Sequence, residues 1–230
     1  MMVKICGVSN KIDAMRALEC GADAIGFVMG GKVLPFEVEP HAQAVKEIIK
    51  TFPKGKDSYV VTHLTEVDDI LALAEYVNST GIQVSEDIGL EKLKQLRQQT
   101  SRKIIKTIVV DDATSASRLK SYEPFCDFIL LDSRHNGYTG GTGVANDWKL
   151  CNKLVALASK PVFLAGGLTP DNLKRAISTV MPWGVDVSTG VSTYSDDYLR
   201  KDRKDNGKIA RFVRIAKKIK VKNPAEEKNE

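Results

Sequence analysis

Three places in this 230-residue chain carry side chains able to move protons or hold an anion. The first is Cys6, in Val3-Lys4-Ile5-Cys6-Gly7. A thiolate is a base and a nucleophile, and an electropositive setting makes it easier to form. Cysteine also serves as a small hydrophobe in protein cores. The second is Leu130-Leu131-Asp132-Ser133, followed by Gly140-Gly141-Thr142-Gly143. A carboxylate ending an apolar run is partly desolvated, which raises its pKa and suits it to general-acid work. Such a residue serves equally as a cap for the loop that follows. The third is a pair of loops, Ala165-Gly166-Gly167-Leu168-Thr169-Pro170 and Ser188-Thr189-Gly190-Val191. Glycines let backbone N–H groups approach phosphate oxygens closely, although a lone Gly-Gly is most often a turn.

These groups can act together only if the strands that carry them end on one face. Short runs rich in Val, Ile and Phe alternate with stretches whose apolar residues recur three and four apart. Strands are expected at 3–6, 24–28, 58–64, 82–84, 104–110, 128–131, 161–164 and 185–187. Helices are expected at 11–20, 40–50, 66–77, 89–99, 112–121, 147–158, 170–179 and 205–220. Gly21 closes the first helix, Pro40 opens the second, and Thr65 caps the third with Asp68 behind it. Strict alternation requires a parallel sheet with right-handed crossovers. Eight units point to an α/β fold of the closed (β/α)8 TIM-barrel type, a single domain over residues 1–222 with a polar, disordered tail at 223–230. An open doubly wound sheet is the alternative, but its glycine fingerprint is absent after the first strand. In a parallel barrel, the carboxyl ends of the strands are where chemistry takes place. Lys4 shares the face of Cys6, two residues deeper.

Composition excludes several classes. Cys6, Cys20, Cys126 and Cys151 include no Cys-x-x-Cys pair and no metal-ligand spacing with histidine, so no metal is expected. Free thiols, no apolar run near the ~20 residues of a membrane span and no leader segment predict a cytoplasmic protein without membrane partners. The net charge is +5, but residues 200–230 carry +7 and the rest about −2. That basic excess lies on the last helix and tail without interleaved aromatics, which reads as a solvated face and not as a nucleic-acid surface.

Taken together, Val3–Gly7, Gly21–Val28, Leu130–Ser133, Gly140–Gly143, Asp147-Trp148, Leu164–Leu168 and Val185–Val191 resemble the phosphoribosylanthranilate isomerase family, in the family's order and from first strand to last helix. The resemblance implies a (β/α)8 barrel of tryptophan biosynthesis and a cofactor-free Amadori rearrangement. N-(5-phosphoribosyl)anthranilate would become 1-(2-carboxyphenylamino)-1-deoxyribulose 5-phosphate. It implies Cys6 as general base and Asp132 as general acid. It also implies Gly166, Gly167, Ser188, Thr189 and Gly190 around the phosphate, with Asp186 positioning those loops.

Departures lie on the anthranilate side. The family's arginine after the second strand is missing from Gly30–Pro40, and lysine recognises a carboxylate less well than arginine's fork. Lys32, or Arg134 from across the mouth, would take that part. The family's Gln-Leu-His-Gly is here Gln83-Val84-Ser85-Glu86, which keeps Gln83 as a substrate contact and loses the histidine. His63 is either a ligand contact or bonded to a neighbour. Residues 134–138 form a lid or plain surface. The alternatives are an isomerase of another phosphorylated aminoaldose, or a non-catalytic sugar-phosphate-binding barrel. The partner is a small sugar phosphate, and the chain is a monomer or homodimer.

Overall fold

The computed structural model describes residues 1–30, 40–111, 114–132, 134–135, 138–139, 147–193 and 203–219. Lys32, the Gly140–Gly143 loop and the 223–230 tail lie outside the described residues, as does the side chain of Arg134.

Ten strands are described: β1 (Met2–Ile5), β2 (Ala24–Met29), β3 (Asp57–Thr62), β4 (Gly81–Val84), β5 (Lys103–Val109), β6 (Phe128–Asp132), β7 (Arg134–His135), β8 (Tyr138–Thr139), β9 (Val162–Leu164) and β10 (Gly184–Val187). Eight of them run parallel and close into a barrel in the order β1-β10-β9-β6-β5-β4-β3-β2. The other two, β7 and β8, form an antiparallel pair after β6, in the stretch expected to be a lid or plain surface. Eight helices lie between and after the barrel strands: α1 (Lys11–Glu19), α2 (Pro40–Ile49), α3 (Val67–Val77), α4 (Leu90–Gln99), α5 (Ser115–Tyr122), α6 (Trp148–Leu157), α7 (Leu173–Val180) and α8 (Asn206–Lys218). The closed barrel excludes the open sheet.

Alternation of side chains along each strand creates two cores. Outward residues pack against the helices in one large apolar cluster. Inward residues Ala24, Tyr59, Ile105, Leu130, Phe163 and Ala165 fill the barrel. Its amino-terminal end is sealed by aromatics, with Trp183 stacked on Phe128 at 5.1 Å and edge-on to Phe163 at 5.2 Å. Asp57 and Lys103 pair at 2.7 Å at that same rim, whereas the buried polar residues Lys4, Gln83, Thr107, Asp132 and Asp186 lie toward the other end, which is where the site must be.

One polar group breaks the pattern. The Tyr59 hydroxyl is buried without a hydrogen-bond partner among the described residues. An unpaired buried hydroxyl costs about 1–3 kcal/mol. Tyr59→Phe should therefore raise stability by about 1 kcal/mol in urea titration; a lower denaturation midpoint would count against this.

Some element ends differ from expectation, each through a local bond. Gly21 does close α1, at φ +98°, with Gly21 N–H donating to the Leu18 carbonyl and Ala22 N–H to that of Ala17. Thr65 does not cap α3. Glu66 occupies the cap position without a side-chain cap bond, and the Thr65 hydroxyl turns toward the Glu66 carboxylate instead. Strand β3 stops at Thr62, whose hydroxyl accepts Leu64 N–H at 3.1 Å, so His63 stands beyond the strand. Helix α5 begins at Ser115, and just ahead of it the Asp111 carboxylate accepts Thr114 N–H at 2.8 Å.

Candidate active site

Lys4, Cys6, Gln83, Thr107, Asp132 and Asp186 gather at the carboxyl ends of the strands, all buried. Cys6 comes one residue after β1, yet its N–H still donates to Val187 on β10 at 2.8 Å. The ladder therefore fixes its backbone. Lys4 lies one inward layer below, wholly buried, and its ammonium bonds Asp186 at 2.9 Å. The two are register partners on adjacent strands. Burial pushes the Cys6 thiol above its ordinary range, against the pull of Lys4; Asp186 adds to the rise and Lys204 opposes it. Burial also works against the charge on Lys4, but Asp186 and then Cys6 outweigh it, so Lys4 stays an ammonium.

The two glycine-bearing loops meet. Gly166 and Gly167 both have positive φ, +80° and +64°, a backbone that side-chain-bearing residues rarely adopt. Asn172 locks this turn. Its amide donates to the Gly167 carbonyl at 2.8 Å and accepts Thr169 N–H at 2.8 Å. After β10, Ser188 leads into a single 3-10 turn, Thr189–Val191. Asp132 and Asp186 line one pocket together with residues 165–168 and 187–190. A carboxyl group and two backbone loops thus face a single cavity, with Cys6 bonded to its rim through Val187.

On the opposite side of the mouth, Gln83 donates to the Thr107 hydroxyl at 3.4 Å, and its amide oxygen is buried without a partner among the described residues. His63 Nδ1 lies 2.7 Å from Glu86 Oε1, so this histidine is bonded to a neighbour. Among the described residues no cluster of three His, Cys, Asp or Glu could hold a metal, and no helix is long and apolar enough to cross a membrane.

A family model described as N-(5'phosphoribosyl)anthranilate (PRA) isomerase matches residues 3–214. The chain belongs to this family. N-(5'-phosphoribosyl)anthranilate isomerase 2 of Methanosarcina mazei is 34% identical over 229 residues, covering 97% of this chain and 98% of that protein. The isomerase of Haloferax volcanii is 35% identical over 216 residues, 94% and 92% of the two chains. Among solved structures, the phosphoribosyl anthranilate isomerase from Thermotoga maritima superposes with TM-score 0.80 at 29% identity, covering 95% of this chain and 100% of that one. A phosphoribosyl anthranilate isomerase in complex with reduced 1-(o-carboxyphenylamino)-1-deoxyribulose 5-phosphate gives TM-score 0.75 at 27% identity, with the same coverage.

In this family member, the structure brings Asp132 and Asp186 to one pocket with Gly166, Gly167, Ser188, Thr189 and Gly190, and ladders Cys6 to Val187 beside it. Two further residues had escaped sequence reasoning. Asn172 holds the Gly166-Gly167 turn. Lys204, ahead of α8, donates from Nζ to the Ser188 carbonyl at 3.1 Å and to Ser192 Oγ at 3.2 Å. Its backbone N–H donates to the buried Asp13 carboxylate at 3.0 Å. The basic count hid Lys204 among surface lysines; the cue was its place just before Asp205, the N-cap of α8.

Proposed function

We propose that this chain catalyses the isomerisation after which its family is named, with Cys6 as base and Asp132 as acid. The observation carrying this is the shared cavity: Asp132 opens onto the same space as both glycine-bearing loops, and Cys6 is laddered to the strand that delivers one of them. Backbone N–H groups of Gly166, Gly167, Ser188, Thr189 and Gly190 hold the 5'-phosphate, leaving the ribose over the barrel mouth. Asp132 gives its proton to the furanose ring oxygen. The C1–O bond breaks, and the nitrogen lone pair forms the C1=N iminium. Cys6, as thiolate, removes the proton from C2, and that C–H pair becomes the C1=C2 double bond of an enolamine. The C2 hydroxyl then loses its proton as C1 gains one, giving the 2-ketone.

The two groups have fixed places because each rides on a barrel strand, which keeps reacting atoms aligned. Gln83 faces the aglycone side from β4. Lys32, or Arg134 in its place, is the cation assigned to the anthranilate carboxylate, and Glu86 is bonded to His63 at 2.7 Å. The reaction belongs to tryptophan biosynthesis, which makes the test direct. Purified protein should convert N-(5'-phosphoribosyl)anthranilate with loss of its fluorescence, and the coding sequence should rescue a tryptophan auxotroph lacking this isomerase. Well-folded protein without turnover would sink the proposal, and turnover of a different aminoaldose phosphate in its place would redirect it.

A further inference from the structure

Lys4 is a charged side chain with zero exposure, and neither the barrel nor the acid–base pair accounts for it. Hydrophobic residues of similar size fill such positions without the cost of desolvating a charge. Asp186 on β10 holds its ammonium from one side at 2.9 Å. On the other side stands Cys6, two residues further along the same face of β1. The space beside them is left by Gly26 on β2. A β-carbon at Gly26 would lie 2.9 Å from Lys4 Nζ and 3.0 Å from Cys6 Sγ, closer than a side chain can sit. Three neighbouring strands therefore set one ammonium between a carboxylate and a thiol.

We propose that Lys4 is a positioning residue for Cys6, an ammonium anchored by Asp186 that lowers the cost of forming the thiolate inside the barrel. This rests on the reading of Cys6 as base and supplies what that reading lacks, a reason for a buried thiol to ionise. The charged groups facing the thiol are Lys4 from β1, Asp186 from β10 and Lys204 ahead of α8; Asp132 on β6 lines the same pocket as Asp186. Lys4 is the strongest influence opposing burial, and Asp186 acts in the opposite sense. Asp186 thus tethers the cation and also moderates it.

Removing either partner shifts the thiol in opposite directions, which a packing role would not do. The readout is thiolate absorbance near 240 nm against pH, on the full chain, with Cys6→Ser as the blank that removes the other three cysteines. Lys4→Met should move the Cys6 midpoint up by about one pH unit or more, and Asp186→Asn should move it down. Because Lys4→Met leaves a buried carboxylate unpaired, the double variant Lys4→Met with Asp186→Asn covers the case in which the single one does not fold. Its midpoint should lie above the wild type. The kcat/KM of either Lys4 variant should fall about tenfold or more at neutral pH and recover as pH rises. A midpoint unchanged in Lys4→Met and in the double variant overturns the proposal, whatever Cys6→Ser does to turnover. Midpoints that shift as stated, in a chain whose Cys6→Ser variant still turns over, uphold the coupling and overturn the base assignment instead.

Discussion

Cys6→Ser and Asp132→Asn should each lower kcat by about 10²–10⁴-fold while leaving KM within a few-fold of wild type. Both changes are nearly isosteric, so the barrel should keep its fold. Serine places a hydroxyl where the thiol was, and a hydroxyl scarcely ionises in water near neutral pH. In the Cys6→Ser variant no anion is available to take the C2 proton. Asparagine keeps the shape of Asp132 and can still donate a hydrogen bond, but has no proton to release to the ring oxygen. Neither change touches the loops at 166–168 and 188–190, so substrate should still dock by its phosphate. Because the two groups serve successive steps, the double variant should be little worse than the poorer single one. The pH profile carries a second check. The active form is the thiolate, and burial pushes the thiol above its ordinary range. Free-enzyme kcat/KM should therefore rise with pH through that raised value, and the Cys6-dependent limb should vanish in Cys6→Ser. Steady-state assays of purified variants measure all of this. A variant keeping a tenth of wild-type turnover would remove its residue from the proposed chemistry.

Much of this site was legible in the sequence because strand parity is strict. Once Cys6 is placed at the end of an inward face, Lys4 must be one layer beneath it. The eight-unit alternation in turn places the ends of β1, β6, β9 and β10 around one mouth. Gly21 was legible for a similar reason, since a helix that ends in a left-handed turn favours glycine. What stayed hidden depends on long-range or side-chain bonds that leave no periodic trace. Lys204 reaches Ser188 and Ser192 across a stretch with no repeating pattern, and its anchor Asp13 lies 191 positions away in sequence. The Thr65 cap failed because a neighbouring carboxylate competes for its hydroxyl, which local capping rules do not see. Asp186 read only as a loop-positioning residue. Its ion pair with Lys4 follows from the β1–β10 register, and that register exists only once the barrel closes.

The same closure makes Gly190 a sensitive position in the proposed phosphate cradle. A β-carbon there would stand 1.8 Å from the Leu168 carbonyl oxygen, 2.9 Å from its carbonyl carbon and 3.2 Å from Thr169 Cα. All three are backbone atoms, so no rotamer change relieves the overlap. Gly190→Ala must push the β10 loop away from the β9 loop. On the proposed reading the two loops hold one phosphate between them, so the variant should raise KM, and the inhibition constant of inorganic phosphate, by at least about tenfold. That corresponds to roughly 1.4 kcal/mol of lost binding. Its melting temperature should also fall, since overpacking against fixed backbone atoms costs about 1–3 kcal/mol. Gly89→Ala is the matched control. Gly89 has φ +76° but nothing within 4 Å of its β-carbon position, so its cost is conformational alone, about 1–2 kcal/mol, with phosphate affinity untouched. The comparison separates a strained backbone from a broken cradle. Were Gly190→Ala to bind inorganic phosphate as tightly as Gly89→Ala, the contact between these loops would be a feature of the fold and the phosphate would have to sit elsewhere on the mouth.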